Sequence, residues 1–188
     1  MKAKDFDARR LDVPAFAQAG ATLSAEEALG AFPRLAGESA VPDAAAPVRW
    51  QAHGETRAPL GGTPVPWMHL LADASVPLVC QRCLNPVDTP LHADRWFRFV
   101  ADEDTAALED EEAEEDVLAS SREFDLHALI EDELLMELPI TPRHEACPVP
   151  VRLSAADPDF DAAEDKPNPF AALEALKAKA GGGSGQPQ

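Results

Sequence analysis

Leu91-His92-Ala93-Asp94-Arg95-Trp96-Phe97-Arg98-Phe99 alternates with period two: Leu91, Ala93, Arg95, Phe97 and Phe99 fall on one face of an extended chain, and His92, Asp94, Trp96 and Arg98 on the other. Successive side chains of a strand point to opposite sides, so the pattern predicts a half-buried strand. The same period continues toward the N-terminus. Val48, Trp50 and Ala52 alternate with polar neighbours, Gly61-Gly62 offers a turn, and residues 65–71 form a second run. Residues 76–79 then lead into Cys80-Gln81-Arg82-Cys83, and after Asn85-Pro86 the strand resumes at Val87 or Leu91. Residues 48–100 therefore predict an antiparallel meander with the C-x-x-C pair in a turn.

Beyond residue 100 the character changes. Residues 101–118 hold ten acids and no base. So dense a like-charge block repels itself and has few apolar anchors, which predicts a solvated, disordered insert over 101–119. A calcium loop would need fixed ligand spacings and a turn glycine, and the block has neither. Leu126, Leu129, Ile130, Leu134 and Leu138, broadened by Leu135, recur at helical spacing. They predict a helix near 124–138, capped by Ser120 with Glu123 or by Asp125, and ended by Pro139. Its polar face carries Glu131, Asp132 and Glu137, with Glu133 nearer the border. The fold class that follows is α+β: an antiparallel sheet, open or barrel-like, covered by a long helix and interrupted by a disordered acidic insert.

Residues 1–46 read as an N-terminal segment and linker. Within it, 11–16 suggest a short strand, 23–32 a short helix capped by Ser24 with Glu27, and 38–47 an Ala/Pro-rich connection. Residues 47–152 form the core, and 153–188 an acidic linker, a short helix and a flexible tail. That helix is signalled by Asn168 as cap and Pro169 at its first position.

Charge bounds the partners. The chain of 188 residues carries 34 acids and 16 bases, a net charge of −18. Residues 1–100 are nearly balanced at −1, and residues 101–188 hold −17. That half repels a phosphate backbone, which favours a basic protein over nucleic acid as the direct partner. No apolar run is long enough to span a bilayer, and the charged residues after Met1 do not read as a secretion signal. Three cysteines, two of them in one C-x-x-C pair, fit a reducing compartment, so a cytoplasmic location is expected.

Cys80 and Cys83 form one half of a metal-ligand set, and His144 and Cys147, spaced H-x-x-C, form another. Zinc takes four N or S ligands in a tetrahedron, and a site of this kind would be structural, since no position is left for water. Two other readings of the residues stand beside it: small buried cysteines at a turn with His144 merely polar, and a redox pair. The last needs a helix N-terminus to lower a thiol pKa, and Asn85-Pro86 after a strand-like run does not supply one. Arg82, Arg95 and Arg98 are candidate RNA contacts, with Trp50, Trp67 and Trp96 as stacking platforms. The alternative is solvated or paired arginines and tryptophans in the core; Arg95 also lies on the face opposite Arg98. No hydrolase triad, Walker sequence, dinucleotide fingerprint or H-E-x-x-H motif is present, so a noncatalytic role is expected, with a thiol-dependent enzyme as a minor alternative.

Four pieces in order are Val79-Cys80-Gln81-Arg82-Cys83-Leu84, Asp125-Leu126 with residues 129–139, Pro142 with His144 and Cys147, and Lys166-Pro167-Asn168-Pro169-Phe170-Ala171. Together they resemble the YceD family over roughly residues 65–177. The resemblance implies a bacterial cytoplasmic protein, with plastid relatives, needed for normal synthesis, processing or stability of 23S ribosomal RNA. It implies no catalytic activity. Joined to the charge distribution, it leads to the expectation of a ribosome-biogenesis factor that meets a basic ribosomal protein or assembly factor through Glu131, Asp132 and Glu137, its association with rRNA being indirect. Direct RNA binding through Arg82, Arg95 and Arg98 is the alternative.

Overall fold

The computed structural model describes residues 6–42, 46–58, 62–151 and Leu173. The expected acidic linker over 153–168 and the flexible tail therefore lie outside the described residues, as does the C-terminal helix apart from Leu173.

The meander is present. Strands β2 (Pro47–Arg57), β3 (Val65–Val79) and β4 (Pro86–Val100) pair antiparallel, and the C-x-x-C sequence occupies the β3–β4 turn. Alternation decides which side is buried: Val48, Trp50 and Ala52 of β2, Met68, Leu70, Ala72 and Val76 of β3, and Leu91, Ala93, Phe97 and Phe99 of β4 all enter the core. The helices cover this face. The core continues through Val13 and Phe16 of α1 (Val13–Gln18), Leu35 of α2 (Pro33–Gly37), and Leu126, Ile130 and Leu134 of α4 (Leu126–Met136). Each such aliphatic side chain contributes roughly 1.5–3 kcal/mol on burial.

The N-terminal expectations are reversed. Residues 13–18 are helix, because Asp12 accepts a hydrogen bond from the Ala15 N–H at 3.1 Å and Pro14 sits in the first turn, where its missing N–H has no cost. Residues 22–28 are strand β1 (Thr22–Ala28), pairing antiparallel with β2. Ser24 and Glu27 looked like a capping box; Glu27 instead accepts from Trp50 Nε1 at 2.9 Å and Glu26 from Arg49 Nε at 2.7 Å, both across the β1–β2 pair. Cross-strand partners override a local capping preference. The sheet is not a barrel: its order is β1-β2-β3-β4-β5, with β1 and the short parallel strand β5 (Asp116–Ala119) as separate edges.

The acidic insert is ordered, contrary to the sequence reading. It forms helix α3 (Glu103–Asp110), capped by Asp102 accepting from the Thr105 N–H at 2.8 Å, and then β5. Two features offset the like charges. Ala106 and Val117 bury against Val100, and Arg98 of β4 bonds both Glu109 and Glu115, at 2.6 Å in the second case. The helix expected near 124–138 is the shorter α4, capped by Asp125 accepting from the Ala128 N–H at 2.9 Å. No helix among the described residues is long and apolar enough to cross a membrane.

α1 seats on β2 at Gly54. A Cβ there would lie 2.5 Å from Phe16 Cδ1 and 3.1 Å from Ala17 Cα, so the glycine is required by close approach. Gly54→Ala is expected to cost about 1–3 kcal/mol through displacement of Phe16. Denaturant titration checks this; an unchanged midpoint would mean that α1 does not pack tightly on the sheet.

Candidate functional site

The β3–β4 turn is shaped before any ligand is considered. The Leu84 N–H donates to the Cys80 carbonyl at 2.8 Å and the Cys80 N–H to the Asn85 carbonyl at 3.0 Å, while Leu84 adopts φ = 61°. A left-handed conformation at a leucine costs about 1–2 kcal/mol, and it turns the chain tightly enough to bring both cysteines to one side. The Gln81 N–H then donates to the Pro142 carbonyl at 2.9 Å and draws in the segment after α4. That segment delivers His144 and Cys147.

The result is a single cluster. One donor atom from each of Cys80, Cys83, His144 and Cys147 lies within 4.8 Å of the others, and Cys83 Sγ is 3.4 Å from His144 Nδ1. Donor atoms around a tetrahedral zinc with bonds of 2.0–2.3 Å sit about 3.3–3.8 Å apart, so a small contraction would close the set. Three thiols and an imidazole in this arrangement have the donor chemistry to hold a metal ion. Cys80 is fully buried. Burial pushes its thiol up, but the backbone N–H groups of His144, Cys83 and Arg82 outweigh this and bring it down to about 5. The Cys83 thiol is also lowered, against burial, by the Asn85 backbone N–H. The His144 imidazole is raised, first by its bond with Cys80. The Cys147 thiol moves the other way, raised by burial against the opposing bond from Arg82, so the lowered thiols are the pair on the β3–β4 turn.

Arg82 is absorbed into this cluster. Its Nε donates to Cys147 Sγ at 3.0 Å, and a terminal nitrogen donates to the carbonyls of His144 at 2.7 Å and Glu145 at 3.2 Å. Arg95 lies at 3.1 Å from Glu137 and 3.5 Å from Glu133, and Arg98 is held between Glu109 and Glu115. None of the three arginines is left without an internal partner. Trp50 is buried and bonded to Glu27. Trp67 and Trp96 stand on the outer face, where the Arg57 guanidinium lies 4.1 and 4.0 Å from their ring centroids and His69 stacks on Trp96 at 4.4 Å. The sequence reading missed Arg57 and His69. Strand register was the available signal, since Trp96 pairs with His69, and Trp67 pairs with Glu55, two residues from Arg57.

The expected acidic docking face is also largely engaged within the chain. Glu131 is buried, and one of its oxygens accepts from the backbone N–H groups of Arg34 at 2.7 Å and Leu35 at 3.1 Å while the other accepts from Arg34 Nε at 2.9 Å. Asp132 pairs with the same arginine at 2.5 Å and Glu137 with Arg95. Glu131 thus fastens α2 to α4 and is not a surface charge. Helical spacing placed it on the polar side of α4, and Arg34, 97 residues away in sequence, gave no local sign that it would cover that side.

The model of the family described as large ribosomal RNA subunit accumulation protein YceD matches residues 68–177. Among curated proteins, the large ribosomal RNA subunit accumulation protein YceD of Haemophilus influenzae is 36% identical over 106 residues, which cover 55% of this chain and 61% of that protein. No solved structure matches.

Burial pushes the Glu131 carboxyl up, but the Leu35 and Arg34 donors outweigh it and hold the group below the ordinary glutamate range. A depressed folded-state pKa gives stability that is present above the unfolded value and lost as pH falls through the folded one. Glu131→Ala is expected to cost about 2–3 kcal/mol near neutrality by stranding the buried Leu35 N–H. Glu131→Gln should cost less, and its deficit should shrink on acidification below about pH 4, where wild type also loses the charge. Urea titrations at several pH values check both; a pH-independent deficit would contradict the ionised bond.

Proposed function

The chain belongs to the YceD family, the large ribosomal RNA subunit accumulation proteins, and from that premise we propose that it is a noncatalytic ribosome-biogenesis factor supporting synthesis, processing or stability of 23S ribosomal RNA through contacts with a basic protein. The observation that carries the choice of protein over RNA is the engagement of Arg82, Arg95 and Arg98. Phosphate binding through these side chains would have to break bonds to a thiol, two carbonyls and four carboxylates. The net charge of −18 opposes it as well. A basic ribosomal protein or assembly factor in the cytoplasm meets the opposite field, and rRNA associates through it.

The metal is one zinc ion held by Cys80, Cys83, His144 and Cys147 in a structural role. Soft thiolates with one imidazole select zinc over hard cations, and four protein ligands leave no position for substrate. It fastens the segment after α4 to the β3–β4 turn.

Two measurements follow. Purified chain should carry about one zinc, Cys83→Ser should lose most of it, and a strong chelator should lower the melting temperature. Metal-free protein whose melting is indifferent to added zinc and to chelator would remove the site. Affinity capture from bacterial lysate should retain a basic ribosomal protein or assembly factor after ribonuclease treatment. Capture of rRNA whose protein companions all vanish with ribonuclease would replace the protein-contact reading with the direct RNA module.

A further inference from the structure

A groove of about 610 Å³ lies along the part of β4 that precedes its pairing with β5, lined by Arg57, Trp67, Asp94 and Trp96 from the outer sheet face, by Arg95 of β4 with Glu133 and Met136 of α4 from the other side, and by the residues at the start of β5. Its floor is aromatic. Trp67 and Trp96 lie with ring centroids 6.4 Å apart, and both hold the same guanidinium, that of Arg57. Aromatic faces attract cations through their quadrupole, and this floor already accommodates one arginine side chain of the chain itself. Its walls are acidic: Asp94, Glu114, Glu115, Asp116 and Glu133 line it against two bases, Arg57 and Arg95.

Within that wall the carboxylates differ. Asp94 bonds His69, Glu115 bonds Arg98 and Glu133 faces Arg95. Glu114 and Asp116 are exposed and make no side-chain hydrogen bond or ion pair among the described residues. Asp116 also helps, after burial, to raise the Glu133 carboxyl above its ordinary range, a sign of uncompensated negative charge on this side of the groove. Met136, 79% exposed, closes the other side with a flexible apolar surface suited to the aliphatic stem of a long basic side chain.

We propose that the groove formed by Trp67, Trp96, Glu114, Asp116 and Met136 is the docking site for an arginine-rich segment of the basic partner protein. The proposal rests on the reading of the chain as a protein-binding factor and moves the contact from Glu131, Asp132 and Glu137 to this groove. Arg57 stays in the floor, bonded to Glu55, while incoming guanidiniums bind Glu114 and Asp116 and lay their stems on Met136 beside the half-buried tryptophans. RNA does not fit the same place, because its phosphates would meet five carboxylates and two guanidiniums.

The test uses the full chain and a fluorescently labelled oligo-arginine peptide, followed by anisotropy. Glu114→Gln with Asp116→Asn should weaken binding about fivefold, whereas Glu38→Gln with Glu111→Gln, the same charge change at exposed positions outside the groove, should weaken it less than about twofold. Equal losses in the two double variants would reduce the effect to bulk charge and overturn the groove. Capture from lysate with both baits separates the two levels. A ribonuclease-resistant basic protein lost from the E114Q/D116N bait and kept by the E38Q/E111Q bait supports the groove. The same protein held equally by both sinks the groove but keeps the protein-contact reading, and no ribonuclease-resistant basic protein on wild type sinks that reading itself.

Discussion

A one-residue slip of β4 along β3 would carry Leu91, Ala93, Phe97 and Phe99 out of the core and displace the cysteine turn in the same movement. The register that runs from Trp67↔Arg98 to Val79↔Pro86 is therefore the constraint on which both core and site depend. Prolines fit it without loss. Pro77 lies beyond the part of β3 that pairs with β2, where its carbonyl accepts from the Ala40 N–H at 2.7 Å, and Pro90 precedes the part of β4 that pairs with β5, so neither sits between two paired strands. A missing N–H is tolerated at such positions and excluded from a fully paired strand. Below the last pair, the tight bend at Leu84 turns Cys80 and Cys83 toward the segment that brings His144 and Cys147.

How much of this could be read in the sequence depended on the range over which each choice is decided. Period-two alternation identified β2 to β4, and the leucine spacing identified α4, because both patterns reflect one buried face along one element. The α1 and β1 assignments came out exchanged for the converse reason: residues 11–28 are too short for a clear period, and cross-strand bonds from Arg49 and Trp50 settled what Glu26 and Glu27 would do. The acidic insert was misjudged because its order comes from Arg98, which lies outside the block. For the site, the ligand types and spacings of all four metal candidates were legible, whereas the roles of Arg82 and Glu131 were not. Each is defined by a partner more than sixty residues away.

Electrostatics ties these cases together. In a chain with 34 acids and 16 bases, an arginine is scarce, and its side chain finds carboxylates on several sides. Arg34 joins α2 to Glu131 and Asp132 of α4, Arg95 joins β4 to Glu133 and Glu137, and Arg98 joins β4 to Glu109 of α3 and to Glu115 just before β5. Exposed pairs of this kind contribute about 0–1 kcal/mol each, so their main effect is to specify which element sits beside which. Glu131 is the exception, since one of its oxygens accepts from two backbone N–H groups, that of Leu35 being buried. Arginines used in this way are engaged within the chain, and Glu114 and Asp116 are among the exposed carboxylates that make no side-chain bond among the described residues.

The metal-ligand cluster works on the same principle at longer range. Between Cys83 and His144 the chain forms β4, α3, β5 and α4, so joining these two residues closes a loop that contains most of the later half of the fold. Loop-closure entropy grows only slowly with length, and a bond across 61 residues restricts the unfolded chain little more than one across half as many. The distinctive consequence is cooperative. Side chains brought together only by correct β3–β4 register and correct seating of α4 would make binding of an ion conditional on both, so its free energy would become free energy of folding for two elements at once. Arg82 already holds the Cys147 sulfur and the carbonyls of His144 and Glu145 in place, which lowers the ordering that an ion must impose.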